Sequence, residues 1–222
     1  LYLDDLTQVI DRFDVSYCPS IGIHKILQNR KKASVLTQKN ILLVGNPTTN
    51  NPHLYDLPGA LKEAEEISKL LSPSNQVTLL KQKEATIDQV QKAMKDAHIV
   101  HFACHGSFDS PSEENDLKKN GYLVLSPSDQ YPEGKLYHSM LENIEFSHNP
   151  LVVLSACSTA DGHICSDGVV GLTRGFLVAG ASKVVASLYR IHDDFFQQVM
   201  TQWYSLMINE SNKDPMSLFH QV

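Results

Sequence analysis

Two short runs place a base and a nucleophile at the ends of apolar segments. Ile99-Val100-His101-Phe102-Ala103-Cys104 leads into His105-Gly106, and Leu151-Val152-Val153-Leu154-Ser155-Ala156 leads into Cys157-Ser158. An imidazole and a thiol that meet form a base and its nucleophile. The thiolate attacks a carbonyl carbon and the histidine shuttles the proton. Gly106 suits a sharp turn and the close approach of a substrate backbone. The backbone N–H groups of Gly106 and Cys157 would then form an oxyanion hole. Strand alternation sends His101, Ala103 and His105 to one face, and Phe102 and Cys104 to the other. Cys104 is therefore not expected to share a site with His105.

Each residue also has an ordinary explanation. Cysteine is among the most buried residue types, and Cys18 and Cys104 read as core packing. For Cys157 the pairing with His105 tips the balance towards a nucleophile. His101, Cys104, His105, Cys157, His163 and Cys165 are all of metal-ligating type. Their spacings differ from paired zinc knuckles, and the strand faces separate His101 from Cys104. No metal and no cofactor are expected. His138, His148 and His192 read as surface histidines.

The elements that would position these residues follow from periodicity. Apolar runs without alternation at 41–44, 99–104 and 151–156, with shorter ones at 77–80 and 183–187, read as strands covered on both faces, hence a parallel sheet. Helical patterns lie between them. Residues 57–71 carry apolar side chains near a 3.6 period. Thr86-Ile87-Asp88-Gln89 opens a helix as a capping box. Residues 168–179 form a small-residue helix with Gly180 at its C-cap. Residues 193–208 form a last amphipathic helix with Phe196, Val199, Met200, Trp203 and Met207 on one side. Residues 107–120 are polar and acidic and read as a surface loop, followed by a small hairpin from 121–126 and 135–137. The alternation gives an α/β fold, in which ligands bind beyond the carboxyl ends of the strands.

Composition bounds the function. The chain has 222 residues, enough for one large domain. With 19 basic and 25 acidic residues and a formal net charge of −6, it has no basic footprint for nucleic acid or an anionic membrane. No apolar run approaches the ~18 residues of a membrane span. Four cysteines make no disulfide framework and fit a reducing, cytoplasmic setting. Leu1-Tyr2-Leu3 followed by Asp4-Asp5 does not look like a signal peptide. The start without Met reads as a piece of a longer protein.

The ordered set of motifs resembles the CHAT domain, which belongs with caspases and separases. His101-Phe102-Ala103-Cys104-His105-Gly106 and Pro150-Leu151-Val152-Val153-Leu154-Ser155-Ala156-Cys157-Ser158-Thr159 carry the likeness most strongly. Tyr17-Cys18-Pro19-Ser20 is similar to the family's opening segment. Gly45-Asn46-Pro47 and Leu57-Pro58-Gly59-Ala60, with Glu63, Glu65 and Glu66, are similar to its first strand and helix. Gly168-Val169-Val170-Gly171-Leu172-Thr173-Arg174-Gly175-Phe176-Leu177-Val178-Ala179-Gly180-Ala181 resembles the helix after the nucleophile. Ser187-Leu188-Tyr189-Arg190-Ile191 with Asp193 resembles the next strand and loop. The likeness covers residues 15–220. The separation of 52 positions from His105 to Cys157 also matches the caspase spacing of about 50.

The resemblance implies a caspase-like three-layer sandwich over residues 1–222, a mostly parallel sheet with helices on both faces. It implies a cysteine endopeptidase with His105 as base and Cys157 as nucleophile, acting on protein or peptide substrates. Asp193 matches a position that helps bind a basic P1 side chain in separases, although it also suits an N-cap. Ser155 and Tyr189 are further pocket candidates. Tyr189 stands where the family usually has Trp, and 160–165 is not the commonest form of the segment after the nucleophile. Residues 107–120 and 161–167 are candidate regulatory loops. The family's closing helix and strand are expected to be missing, which would leave a sheet edge open. Upstream repeats that bind a regulatory protein are expected in the parent chain. The alternative is a non-catalytic interaction module in a regulatory or defence assembly.

Overall fold

Five parallel strands form the centre of the molecule in the order β2-β1-β3-β6-β7: β1 (Asn40–Gly45), β2 (Gln76–Lys81), β3 (Ile99–Phe108), β6 (Leu151–Ser158) and β7 (Lys183–Ala186). A hairpin of β4 (Gly121–Val124) and β5 (Lys135–Tyr137) joins antiparallel to the end of β3. This computed structural model describes residues 21–30, 38–108, 121–141, 143–158, 166–187, 193–219 and 221–222, with isolated positions 8, 9, 12, 13, 15, 18 and 36. At 108, 157–158, 166–170 and 193–194 the description covers the backbone alone.

Helices cover both faces, as a mostly parallel sheet requires. On one face lie α3 (Ile87–Met94), α4 (His138–Leu141) and α5 (Ser166–Ala179), packed against Leu42, Val44, Val100, Phe102, Cys104, Val152 and Leu154. On the other lie α2 (Pro58–Leu71), α6 (Asp193–Asn209) and α7 (Pro215–Phe219), packed against Ile41, Leu43, Ile99, Leu151 and Val153. A further helix, α1 (Ile21–Gln28), buries none of its residues. The strand side chains divide between the two cores with period two, giving a three-layer sandwich.

Local chemistry sets the helix boundaries. Pro58 opens α2, where its missing N–H costs nothing. Thr86 caps α3, its hydroxyl accepting from the Gln89 N–H at 3.4 Å. Gly180 follows α5 at φ 118°. One close approach matters for the site: α2 lies so near β1 that a Cβ on Gly45 would come within 2.6 Å of the Ala64 Cβ. Small residues on both surfaces allow α2 to sit deep against the sheet.

Several sequence expectations change here. β3 does not turn at Gly106 but continues to Phe108. Gly106 is in register with Ser158 on one side and Leu123 on the other. The hairpin takes the flank that β1 leaves after Gly45 pairs with Ala103, and so sustains the strand. Residues 107–108 of the expected loop belong to β3; residues 109–120 lie outside the described residues, as do 161–165, while 166–167 belong to α5. Cys18 is exposed, not packed in a core. His138 is half-buried between β5 and α5, and its Nδ1 is buried with no hydrogen-bond partner among the described residues. His148 is exposed and stacks on His98 with ring centroids 3.9 Å apart. His192 lies outside the described residues.

Candidate active site

His105 and Cys157 are direct cross-strand partners in the parallel β3–β6 pair. Neighbouring strands lie ~4.8 Å apart, so the two backbones meet at the carboxyl end of the sheet, where α/β folds hold their ligands. Phe102 and Cys104 face the α3/α5 core, while His101 faces α2 and α6, as alternation requires. The Cys157 thiol lies outside the described residues.

The His105 ring is 5% exposed, and its Nε2 sits 2.7 Å from the Tyr55 carbonyl oxygen. A carbonyl only accepts, so Nε2 carries the proton and, in the neutral ring, Nδ1 keeps the lone pair. The Tyr55 ring meets the imidazole edge-on at 5.2 Å and is itself 66% exposed. A strap anchored at Asn46 holds Tyr55 in place. Asn46 adopts φ 44°, a left-handed conformation that asparagine tolerates. Its N–H donates to the Ala103 carbonyl, its Nδ2 to Asp56 Oδ1, and its Oδ1 accepts from the Leu57 N–H, at 2.9, 2.9 and 3.1 Å. The turn signal at Asn46-Pro47 was visible in the sequence. The backbone acceptor of Tyr55 has no side-chain signature and was missed.

A second group of polar side chains lies deeper on the same sheet face. Glu63 of α2 is 1% exposed; its Oε1 lies 2.8 Å from His101 Nε2 and its Oε2 accepts from Ser155 Oγ at 3.0 Å. The fully buried Tyr204 hydroxyl of α6 lies 3.3 Å from His101 Nδ1. With the proton of His101 on Nε2, every member is satisfied: His101 donates to Glu63, Tyr204 donates to His101, and Ser155 donates to Glu63. Burial, and next the charge of Glu63, push the Tyr204 hydroxyl far up, which keeps its proton in place to donate.

The remaining candidates are distributed as follows. Ser155 shares a rung with Ala103, directly beneath His105 and Cys157, and its hydroxyl is engaged by Glu63. Gly106 lies inside β3. Asp193 is the first residue of α6; its side chain, and Tyr189 and Cys165 entirely, lie outside the described residues. Among the described residues no three His, Cys, Asp or Glu side chains are grouped to hold a metal. Both ring nitrogens of His101, a ligand type by sequence, are taken by Glu63 and Tyr204.

The mostly parallel sheet with helices on both faces agrees with a caspase/separase-like fold. The CHAT domain profile matches residues 2–218, and the chain belongs to that family. Tetratricopeptide repeat protein 28 of Mus musculus is 26% identical over 235 residues, covering 90% of this chain and 9% of the relative. The Homo sapiens protein of the same name is 26% identical over 179 residues, covering 69% of this chain and 7% of the relative. The chain thus spans less than a tenth of the length of these relatives. Among solved structures, a protein of Geobacter sulfurreducens aligns with a TM-score of 0.40 at 16% identity, over 64% of this chain and 62% of that one. A flavodoxin of Streptococcus pneumonia aligns with a TM-score of 0.39 at 12% identity, over 77% of this chain and 98% of that one. Both scores are too low for a fold correspondence to be drawn.

Proposed function

We propose that this is a caspase-like module of a longer, repeat-bearing protein, and that its sheet edge hydrolyses peptide bonds through His105 and Cys157. The observation that supports cleavage is the register: base and nucleophile are the same rung of β3 and β6. In this reading the Cys157 sulfur bonds to the scissile carbonyl carbon while His105 Nδ1 takes the thiol proton. The tetrahedral oxyanion rests on the Cys157 N–H; Gly106, the other donor expected from the sequence, lies inside β3 between Ser158 and Leu123. Collapse breaks the C–N bond, and His105 returns the proton to the leaving amine. Water, activated by the same imidazole, then hydrolyses the thioester. The Tyr55 carbonyl suits this cycle, since it orients the ring and stabilises the imidazolium. No cofactor enters. A thiol nucleophile fits the reducing cytoplasm.

Asp193 begins α6 on the connection that leaves the carboxyl end of β7. The reading makes it the acid that pairs with an Arg or Lys at P1. Unchanged P1 preference in Asp193→Ala would remove that role. Tyr189 and Ser155 are the other proposed pocket residues. Repeats upstream would bind the regulator, and of the candidate loops 107–120 and 161–167 the parts outside β3 and α5, 109–120 and 161–165, are the proposed regulatory segments.

A second reading, an interaction module that cleaves nothing in a regulatory or defence assembly, asks less of the molecule. Family membership and the described side chains support it as they stand, and the relatives' name speaks of repeats and of no reaction. Cleavage is the further step, supported by one rung of the sheet. A peptide-based thiol-reactive probe separates the two. Labelling of Cys157 that disappears in His105→Ala is the outcome expected of the peptidase. Absence of labelling in the full-length protein with its activator would leave the interaction module.

A further inference from the structure

We propose that Glu63 is a positioning residue for the His105–Cys157 pair, acting from beneath it by joining β3 to β6 through His101 and Ser155. This rests on the peptidase reading above. The carboxylate comes from α2 and reaches both strands that carry the proposed dyad: Oε1 at 2.8 Å from His101 of β3 and Oε2 at 3.0 Å from Ser155 of β6. Ser155 stands two residues before Cys157, and its rung partner Ala103 two residues before His105. The bridge therefore crosses the seam diagonally, one same-face step below Cys157 on β6 and two below His105 on β3.

The surroundings are shaped to let the carboxylate in. Ala60 and Ala103 pack together with Leu57 as a small cluster of their own. Gly45 offers no Cβ to hold α2 away. Small residues at these positions let α2 sit low enough for a glutamate to reach between the strands. His101, Ser155 and Tyr204 complete the group, tying four elements, α2, β3, β6 and α6, to one buried carboxyl group.

Stability alone is a poor reason for this arrangement. Taking a carboxylate out of water is costly, and a buried charged network is commonly matched or exceeded by apolar packing of the same volume. What a hydrogen-bonded bridge supplies and a leucine cannot is a fixed relation between two strands. Catalysis needs that relation at the next rung, because a misplacement of about 1 Å between reacting groups costs on the order of a hundredfold in rate.

The test measures the alkylation rate of Cys157 by iodoacetamide across pH, read by peptide-resolved mass spectrometry on the full chain at low temperature, well below melting. A small reagent needs no substrate pocket. Wild type is expected to show acceleration at neutral pH that His105→Ala removes. Ser155→Ala, which cuts only the arm to β6, and Glu63→Ala are expected to slow neutral-pH alkylation about tenfold or more, in line with lost alignment. Both move the midpoint of the pH profile towards that of a free thiol, about 8.5. Glu63→Gln, which keeps the shape and can accept from His101 through Oε1 while its amide N–H donates to Ser155 Oγ, is expected to restore most of the rate. Combined with His105→Ala, neither break should cost anything further. Folded variants that melt earlier but keep the wild-type pH profile would reduce Glu63 to a structural residue and leave the dyad standing. Losses that add to that of His105→Ala would also overturn the proposal. If Glu63→Ala does not fold, Ser155→Ala decides alone. A wild-type rate independent of His105 would remove the dyad, and this role with it.

Discussion

Cys104 and His105 are chain neighbours with opposite fates, because a strand sends successive side chains to opposite faces. His105 lies beside the strap of Tyr55 at the sheet edge. Cys104 is 1% exposed in the α3/α5 core with Phe102 and Val44. Burial first, and the charge of Glu63 second, push its thiol far above the ordinary cysteine range. Since the thiolate is the reactive form, Cys104 is expected to resist iodoacetamide in the native protein up to mildly alkaline pH and to react only after denaturation. Peptide mapping with and without urea checks this. Native labelling of Cys104 at the rate of the exposed Cys18 would contradict the packing described for it.

At the scale of elements, two glycines beside the site have different reasons to be glycine. Gly45→Ala would put a methyl 2.6 Å from the Ala64 Cβ, so α2 must move away from β1. Overpacking of this kind costs about 1–3 kcal/mol. At Gly106 a new Cβ would meet Ala156 Cβ at 3.4 Å and Leu123 Cδ2 at 3.8 Å, ordinary contact. Urea denaturation is expected to show a clear loss of stability for Gly45→Ala and a change within about 1 kcal/mol for Gly106→Ala. Reversed costs would mean that α2 does not sit as described.

The same elements show what the chain made legible. β1, β3 and β6 were readable because a strand buried on both faces is an unbroken apolar run, whereas β2 and β7 are less buried and were readable only as shorter apolar stretches. α2 and α3 were readable from period and capping. The continuation of β3 past Gly106 was not, because the strand that sustains it begins at Gly121 and nothing local records the pairing. His105 and Cys157 were visible as odd endings of apolar runs. The Glu63 bridge was invisible, since its members sit at 63, 101, 155 and 204 and only packing brings them together. His101, read as a metal-ligating type, is instead spent inside that network.

The molecule as a whole carries titratable chemistry at both ends of its sheet. Opposite the site, at the amino end of β3, His98 stacks on His148, and its Nδ1 accepts from the Asn40 N–H at 3.2 Å. Burial, then the neighbouring His148 and Lys39, lower the pKa of His98. A lowered histidine binds its proton more weakly in the folded state than in the unfolded state. The stability it protects is therefore complete above the unfolded value of about 6.5 and is lost as pH falls towards the folded one. Thermal melts are expected to drop as pH falls from about 7.5 into the mildly acidic range, and His98→Asn should flatten that slope. A slope unchanged by the substitution would assign the pH dependence to other groups.

The order β2-β1-β3-β6-β7 has a consequence for how the chain is divided. Among the described strands, those up to β3 build one flank of the sheet, and those from β4 onward build the hairpin and the other flank. The boundary runs between β3 and β6, with His105 on one bank and Cys157 on the other. Two polypeptides, one ending after β3 and one beginning at β4, would each hold half of the proposed reacting pair. Neither would hold a complete site. Chemistry at that rung would then report on complementation: an AND gate whose two inputs are the halves of one domain and whose output exists only when the seam is closed.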